Sequence, residues 1–177
     1  VVVPTAFGGR DGERPLLETL LSSIAGHIGT HPGDEIVVIS GGEDDGGILD
    51  ASAATLGYNI THIVDASPFN FSARCNIAMD AAKNELILLL NDDIEFTDET
   101  SLDQMVGNLR HPNVGLVGAI LLYEDGSIQH AAHKYTRGGP MHAFYRWRTR
   151  NSYLGELLID REVSGVTGAM MLQRKSV

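Results

Sequence analysis

Three polar residues, Asn91, Asp92 and Asp93, follow directly on the apolar run "ELILLL" of Glu85 to Leu90. In extended chain successive side chains alternate, so Asn91 and Asp93 share one side and Asp92 takes the other. Two hard oxygen donors converging on one side suit Mg2+ or Mn2+, which take one or two carboxylates and complete their shell with water and substrate phosphates. Glu95 falls on the same nominal face, and carboxylates gathered beside a core strand are costly unless a cation sits among them. The plain alternative is a polar strand end that opens a turn. The histidines His130, His133 and His142 invite a zinc reading, but no full set of nitrogen and sulfur ligands is evident. Arg137, Arg146, Arg148 and Arg150 are interleaved with Tyr145 and Trp147. Guanidinium groups there can grip a diphosphate or an anionic acceptor, and the rings can stack on sugars or lipid headgroups. A merely exposed basic loop is the bland reading.

The elements that must position these residues are legible as an alternation. The runs Val1 to Pro4, Glu35 to Ile39, Ile60 to Val64 and Glu85 to Leu90 are too short for helices and apolar enough for buried parallel strands. Between the first two lies a helix opening at Pro15, with Leu17, Leu20, Leu21 and Ile24 on one face. A second helix stops at Gly57, and a third starts with Ser72 as its N-cap. This βαβα order implies a parallel sheet with helices on both faces, and such sheets bind ligands beyond the carboxyl ends of their strands. That is where Asn91 to Asp93 fall. After Phe96 the pattern becomes partly antiparallel. Asp98 caps a helix running to about Arg110, and "VGLVGAILLYEDGSIQHAAHK" reads as two strands joined at "EDGS". Tyr135 to Leu154 reads as a long functional loop. "EVSGVTGAMMLQRKSV" is expected to form a strand pair, or one strand bulged at Gly165 or Gly168.

Composition narrows the partners. The chain has 177 residues, 43% of them hydrophobic, enough for one domain with a core. Its net charge of -10 argues against nucleic acid or an anionic membrane surface as the main partner. Cys75 stands alone, so no intrachain disulfide forms and a reducing compartment is expected. No apolar run approaches the roughly 18 residues of a membrane span, and the start lacks a signal peptide's features. These features make a cytoplasmic domain the default. The chain opens inside a strand and closes just after another, as an excerpt of a longer polypeptide does.

Several blocks together resemble the family 2 glycosyltransferases with their nucleotide-sugar-binding GT-A fold. "VVVPTAFGG" resembles the first strand and nucleotide loop, and "PFNFSARCNIAMDAAKNELILLLNDDIEF" the helix, strand and DXD-type motif. "VGLVGAILLYEDGSIQHAAH" and "VSGVTGAMMLQRKSV" resemble acceptor-side strands. The order is the family's, and the resemblance is closest to the bacterial, rhamnosyltransferase-like branch that builds cell-surface polysaccharides.

It implies a single GT-A domain over residues 1–177: a Rossmann-like, mostly parallel sheet, nucleotide-binding to residue 96, and a partly antiparallel acceptor-side half over 97–177, truncated at its C-terminus. By position it implies Asp93 as the metal-binding acid for Mg2+ or Mn2+. Pro4, Thr5, Asn76, Asn91 and Asp92 fall at nucleotide-sugar-binding positions. His130, Thr167 and Gly168 fall on the acceptor side, with core or hairpin packing an equal explanation for His130 and close packing an equal one for Gly168. The implied reaction is inverting transfer from a UDP-, dTDP- or GDP-linked sugar to a hydroxyl of a glycan or lipid-linked saccharide. A lipid-linked acceptor would place the domain at the inner face of the plasma membrane.

Two departures stand out. Ser40 and Gly41 occupy the place of an acidic, base-contacting motif, for which Asp44 or Asp45 is a substitute unless that loop is simply a solvated turn. The acidic pair that serves the family as base has no counterpart after Leu172, and Glu156, Asp160 and Glu162 precede the "TGA" segment, so the catalytic base is unknown. Two rivals remain. "AFGGRDGERP" superficially resembles the phosphate loop of a sugar-nucleotide nucleotidyltransferase, with the wrong spacing, and a noncatalytic carbohydrate- or protein-binding module would keep the fold without the chemistry.

Overall fold

A computed structural model describes residues 1–7, 15–29, 31–42, 47–149 and 153–176. Asp44, Asp45, Arg150 and most of the glycine-rich stretch after Phe7 lie outside the described residues. Strands β1 (Val2–Pro4), β2 (Glu35–Ser40), β3 (Asn59–Val64) and β4 (Leu86–Leu90) form where the apolar runs place them. Helices α1 (Leu16–His27), α2 (Ile48–Leu56) and α3 (Phe71–Ala81) are the crossovers between them. The six-stranded sheet runs β3-β2-β1-β4-β10-β5, with β5 at Leu116–Gly118 and β10 at Met170–Arg174. Pairing is parallel from β3 through β4, and β10 is inserted antiparallel between β4 and β5.

Alternation along the strands divides the core. Val3, Ile36, Val38, Leu88 and Leu90 pack with the α1 residues Leu17, Leu20, Leu21 and Ile24. Met105 and Leu109 of α4 (Ser101–Leu109) join the same cluster. Val2, Val37, Ile39, Ile87 and Leu89 face the other way, onto Cys75 and Ala78 of α3. A sheet covered on both faces is what unbroken apolar strands require. Burying each such side chain contributes about 1.5–3 kcal/mol.

Local corrections have identifiable causes. Asn70, not Ser72, caps α3: it is extended, and its side chain accepts from the Ala73 N–H at 3.0 Å. Pro15 precedes α1 instead of opening it. Thr100, not Asp98, stands at the N-cap of α4, while Asp98 just ahead of it accepts from the N–H groups of Thr100 and Ser101, both at 2.8 Å. The "EDGS" turn joins β6 (Leu121–Leu122) to β7 (Ile128–His130), while β5 leaves that hairpin for the main sheet. The expected loop from Tyr135 begins instead as a hairpin of β8 (His133–Thr136) and β9 (Gly139–His142). The expected terminal strand pair is a single strand. Its register with β4 runs unbroken from Met170↔Leu90 to Arg174↔Leu86, so neither Gly165 nor Gly168 makes a bulge. Strands from both halves of the chain thus share one sheet. Among the described residues no helix is long and apolar enough to cross a membrane.

Candidate active site at the carboxyl end of the sheet

The carboxyl ends of β1 to β4 open on one edge, joined there by the start of antiparallel β10. Backbone hydrogen bonds fix the loops: Thr5 N–H donates to Ile39 O at 2.8 Å, Asp65 N–H to Ser40 O at 2.8 Å, and Asn91 N–H to Ala169 O at 2.9 Å. The last of these ties the Asn-Asp-Asp segment to the loop preceding β10. Between them lies a cavity of about 190 Å³, lined by Asn91, Asp93, His130 and Thr167 among others.

Alternation at the strand end is realised. Asp92 turns away from the cavity lining, and its Oδ2 accepts from Thr5 Oγ1 at 2.6 Å. Thr5 Oγ1 in turn accepts from Phe7 N–H at 2.9 Å. This pair pins the loop after β1 to the end of β4. Asp93 is exposed within the cavity wall, and Asn91 Oδ1 is buried there without a hydrogen-bond partner. A buried amide oxygen without a partner is costly, and a cation would satisfy it. No group of three or more His, Cys, Asp or Glu residues able to hold a metal occurs among the described residues. One carboxylate and one amide oxygen nevertheless fit Mg2+ or Mn2+, because these ions leave most positions to water and phosphate.

His130 is buried, 1% exposed, and its Nε2 accepts from Thr167 N–H at 3.1 Å. Burial, with His133 and His142 adding like charge, lowers its pKa to about 4. His130 thus packs inside the fold and also lines the cavity. Gly168 sits between two lining residues, and a Cβ there would meet Leu89 and Phe71 at 3.7 and 3.9 Å, ordinary contacts that remove close packing as its explanation. Pro4 is buried within β1, and Asn76 is exposed on α3, outside the cavity lining.

A model of the family described as glycosyl transferase family 2 matches residues 1–177. The chain belongs to glycosyl transferase family 2. Its curated relatives include the O-antigen biosynthesis protein RfbC of Myxococcus xanthus, 32% identical over 120 residues, which are 67% of this chain and 9% of that protein. The uncharacterized protein y4gI of Sinorhizobium fredii is 30% identical over 182 residues, covering 100% of this chain and 19% of its own length. The chain therefore spans less than a fifth of either relative. Among solved structures, the mannosyltransferase PcManGT from Pyrobaculum calidifontis, in complex with GDP-Man and Mn2+, superposes with TM-score 0.56 at 24% identity, over 69% of this chain and 34% of that one. The 4-diphosphocytidyl-2C-methyl-D-erythritol synthase from Anaerococcus prevotii also gives 0.56, at 16% identity, over 99% and 69%. At these identities the likeness is one of fold, the GT-A fold.

In this family 2 glycosyltransferase chain Gly41 has a close packing partner. The buried Arg74 guanidinium packs across Gly41 so closely that a Cβ there would strike Nη2. Arg74 Nη2 donates to Asp65 O at 3.1 Å, and Nε lies 3.6 Å from Asp65 Oδ2. Ser40 Oγ meets His62 Nε2 at 2.8 Å, and the Phe7 ring stands edge-on to His62. Arg74 and His62 thus shape the edge beside Thr5, and sequence reading passed over both. A cation early in a crossover helix was the available signal for Arg74; a histidine midway along β3 offered none. Arg146 and Arg148 do not reach into the cavity. Both pair with Asp125, at 4.0 and 3.9 Å, and so clamp the turn between β6 and β7. Asp160 accepts from Asn108 at 2.9 Å and Glu156 pairs with Arg161 at 3.5 Å. A second depression, about 550 Å³, lies at the amino ends of β2 and β3, where Glu35 Oε1 already accepts from the Lys83 and Asn84 N–H groups.

Proposed function

We propose that this chain binds a nucleotide diphosphate sugar at the carboxyl edge of the sheet and transfers its glycosyl group, with inversion, to a hydroxyl of a glycan or lipid-linked saccharide. The observation that carries this reading is the pairing of exposed Asp93 with the partnerless Asn91 Oδ1 in one cavity at the end of β4. Asp93 and Asn91 would hold Mg2+ or Mn2+, which would supply Lewis-acid stabilisation of the charge on a departing diphosphate, an effect on the order of several kcal/mol. That PcManGT, of the same fold, is in complex with both GDP-Man and Mn2+ supports this reading. Thr5 and Asp92 position the loop after β1 against the same strand end, and Asn91 N–H fixes the loop before β10. An acceptor hydroxyl attacking from the face opposite the diphosphate would invert the anomeric centre. A peripheral place at a membrane follows only if the acceptor is lipid-linked.

The fold is shared with a nucleotidyltransferase, so the products decide. Incubation with nucleotide sugars and Mn2+ is expected to release nucleoside diphosphate. Release of pyrophosphate from nucleoside triphosphate and sugar phosphate would replace this reading with that rival.

A further inference from the structure

Two histidines connect the cavity wall to the loop before β10. Thr167 N–H donates to His130 Nε2 at 3.1 Å. A backbone N–H only donates, so His130 Nε2 offers its lone pair and the neutral ring keeps its proton on Nδ1. That Nδ1 lies 2.9 Å from Nδ1 of His142. With His130 as donor, His142 Nδ1 is the acceptor, and a neutral His142 carries its proton on Nε2. One amide thus sets the direction of the whole chain. Burial, which lowers the pKa of His130 to about 4, keeps the intermediate ring neutral near pH 7.

His142 differs from His130 in being exposed, and it lines the cavity. Besides Asn91, Asp93 and His130, the polar side chains lining the cavity with it are the neutral Tyr123, Gln129, Tyr145 and Thr167. Arg146 is occupied at the rim, its guanidinium 3.8 Å over the Tyr123 ring and its Nη1 3.4 Å from Ser127 Oγ. On either side of Tyr145, Phe144 and Arg146 hold left-handed backbone, φ 59° and 64°. Non-glycine residues adopt that region at a cost, and it recurs where a side chain must be aimed at a ligand. Neutral donors and acceptors beside aromatic faces complement a sugar ring, whereas phosphate recognition favours free cations.

We propose that this wall, whose His130 and Thr167 the family resemblance implied on the acceptor side, is instead the donor-sugar subsite, in which His142, fixed as its Nε2–H tautomer by Thr167 and His130, donates a hydrogen bond to a sugar hydroxyl. The assignment rests on the proposed function, because a sugar reaches the wall when its diphosphate is held at Asp93. His130 is then a positioning residue, acting through His142.

Long-range proton–nitrogen correlation spectra of the unliganded chain near neutral pH read the tautomers. The expected result is His130 as Nδ1–H and His142 as Nε2–H. His130→Ala should release His142 into a mixture, and His130→Asn, whose amide places a donor near the lost Nδ1, should restore Nε2–H. Nδ1-protonated His142 in the wild type overturns the proposal. Calorimetry with Mn2+ then compares UDP with UDP-glucose, GDP with GDP-mannose, and dTDP with dTDP-rhamnose. For the pair that binds, His142→Ala should lose about tenfold in affinity for the nucleotide sugar and none for the free nucleotide. His142→Gln, which keeps a donor near the Nε2 position, should retain most of it. Equal losses on both members, or no loss, overturn the sugar assignment. Absence of any nucleotide binding beside the expected tautomers overturns the proposed function and the sugar assignment with it.

Discussion

At the scale of single residues, His130 makes the clearest solution prediction. Its pKa falls from 6.5 to about 4 on folding, so between those values the unfolded chain binds the extra proton. Stability is then lost as pH falls from 6.5 toward about 4, and is fully present above 6.5. Urea denaturation across this range should show a smaller pH dependence in His130→Asn than in the wild type; identical slopes would contradict the account. Asp98 acts in the same direction at lower pH. Hydrogen bonds from the Ser101 hydroxyl first, then from Thr100, lower its pKa from 3.8 to about 2, so its contribution is present above 3.8 and lost as pH falls toward 2. Asp98→Ala should cost about 1 kcal/mol, as loss of a side chain bonded to a helix's first N–H groups does, measured by chemical denaturation at neutral pH. Asp98 was legible in advance because its partners lie within one turn of chain. The His130–His142 contact was not, because it exists only once the β6–β7 and β8–β9 hairpins bring two distant residues together.

At the scale of elements, the insertion of β10 between β4 and β5 decides the geometry of the edge. It brings Thr167 and Ala169 to Asn91, and it depends on the loop before β10 lying flat against β5. Gly118 in β5 permits this approach, since a Cβ there would stand 2.5 Å from Val166 Cβ. Gly118→Ala should therefore destabilise the fold by about 1–3 kcal/mol through overpacking, whereas Gly168→Ala, with only ordinary contacts, should change it by less than about 1 kcal/mol. Thermal and urea unfolding of both variants check the contrast, and equal effects would contradict the packing described. Strands β1, β2 and β4 were legible because burial on both faces demands short apolar runs, whereas β3, expected to be buried like them, lies at the sheet's edge and has no buried residue. The place of β10 was not, since "AMMLQR" is equally compatible with a hairpin, and only its long-range partners resolve the choice. Gly41 was likewise opaque until Arg74 was seen packed across it.

At the scale of the whole molecule, a chain of net charge -10 is proposed to bind an anionic diphosphate. Coulomb repulsion opposes this unless local charge intervenes. Arg146 and Arg148 are held at Asp125, and Arg74 is buried against Asp65, so a cation at Asp93 and Asn91 is the device the account relies upon. The place of Asn91 to Asp93 at the strand end was legible in the sequence; the bond from Thr5 to Asp92, with Asp93 lining the cavity, was not. The most direct test is a thermal shift of wild type and Asp93→Ala with UDP, dTDP, GDP and ATP, each with and without Mn2+. Ligand at about 100 times its dissociation constant stabilises the native state by about 2.7 kcal/mol. The account predicts a clear upward shift with one nucleoside diphosphate, dependent on Mn2+ and abolished in a folded Asp93→Ala. A shift that ignores Mn2+, survives that substitution, or occurs only with ATP would contradict it.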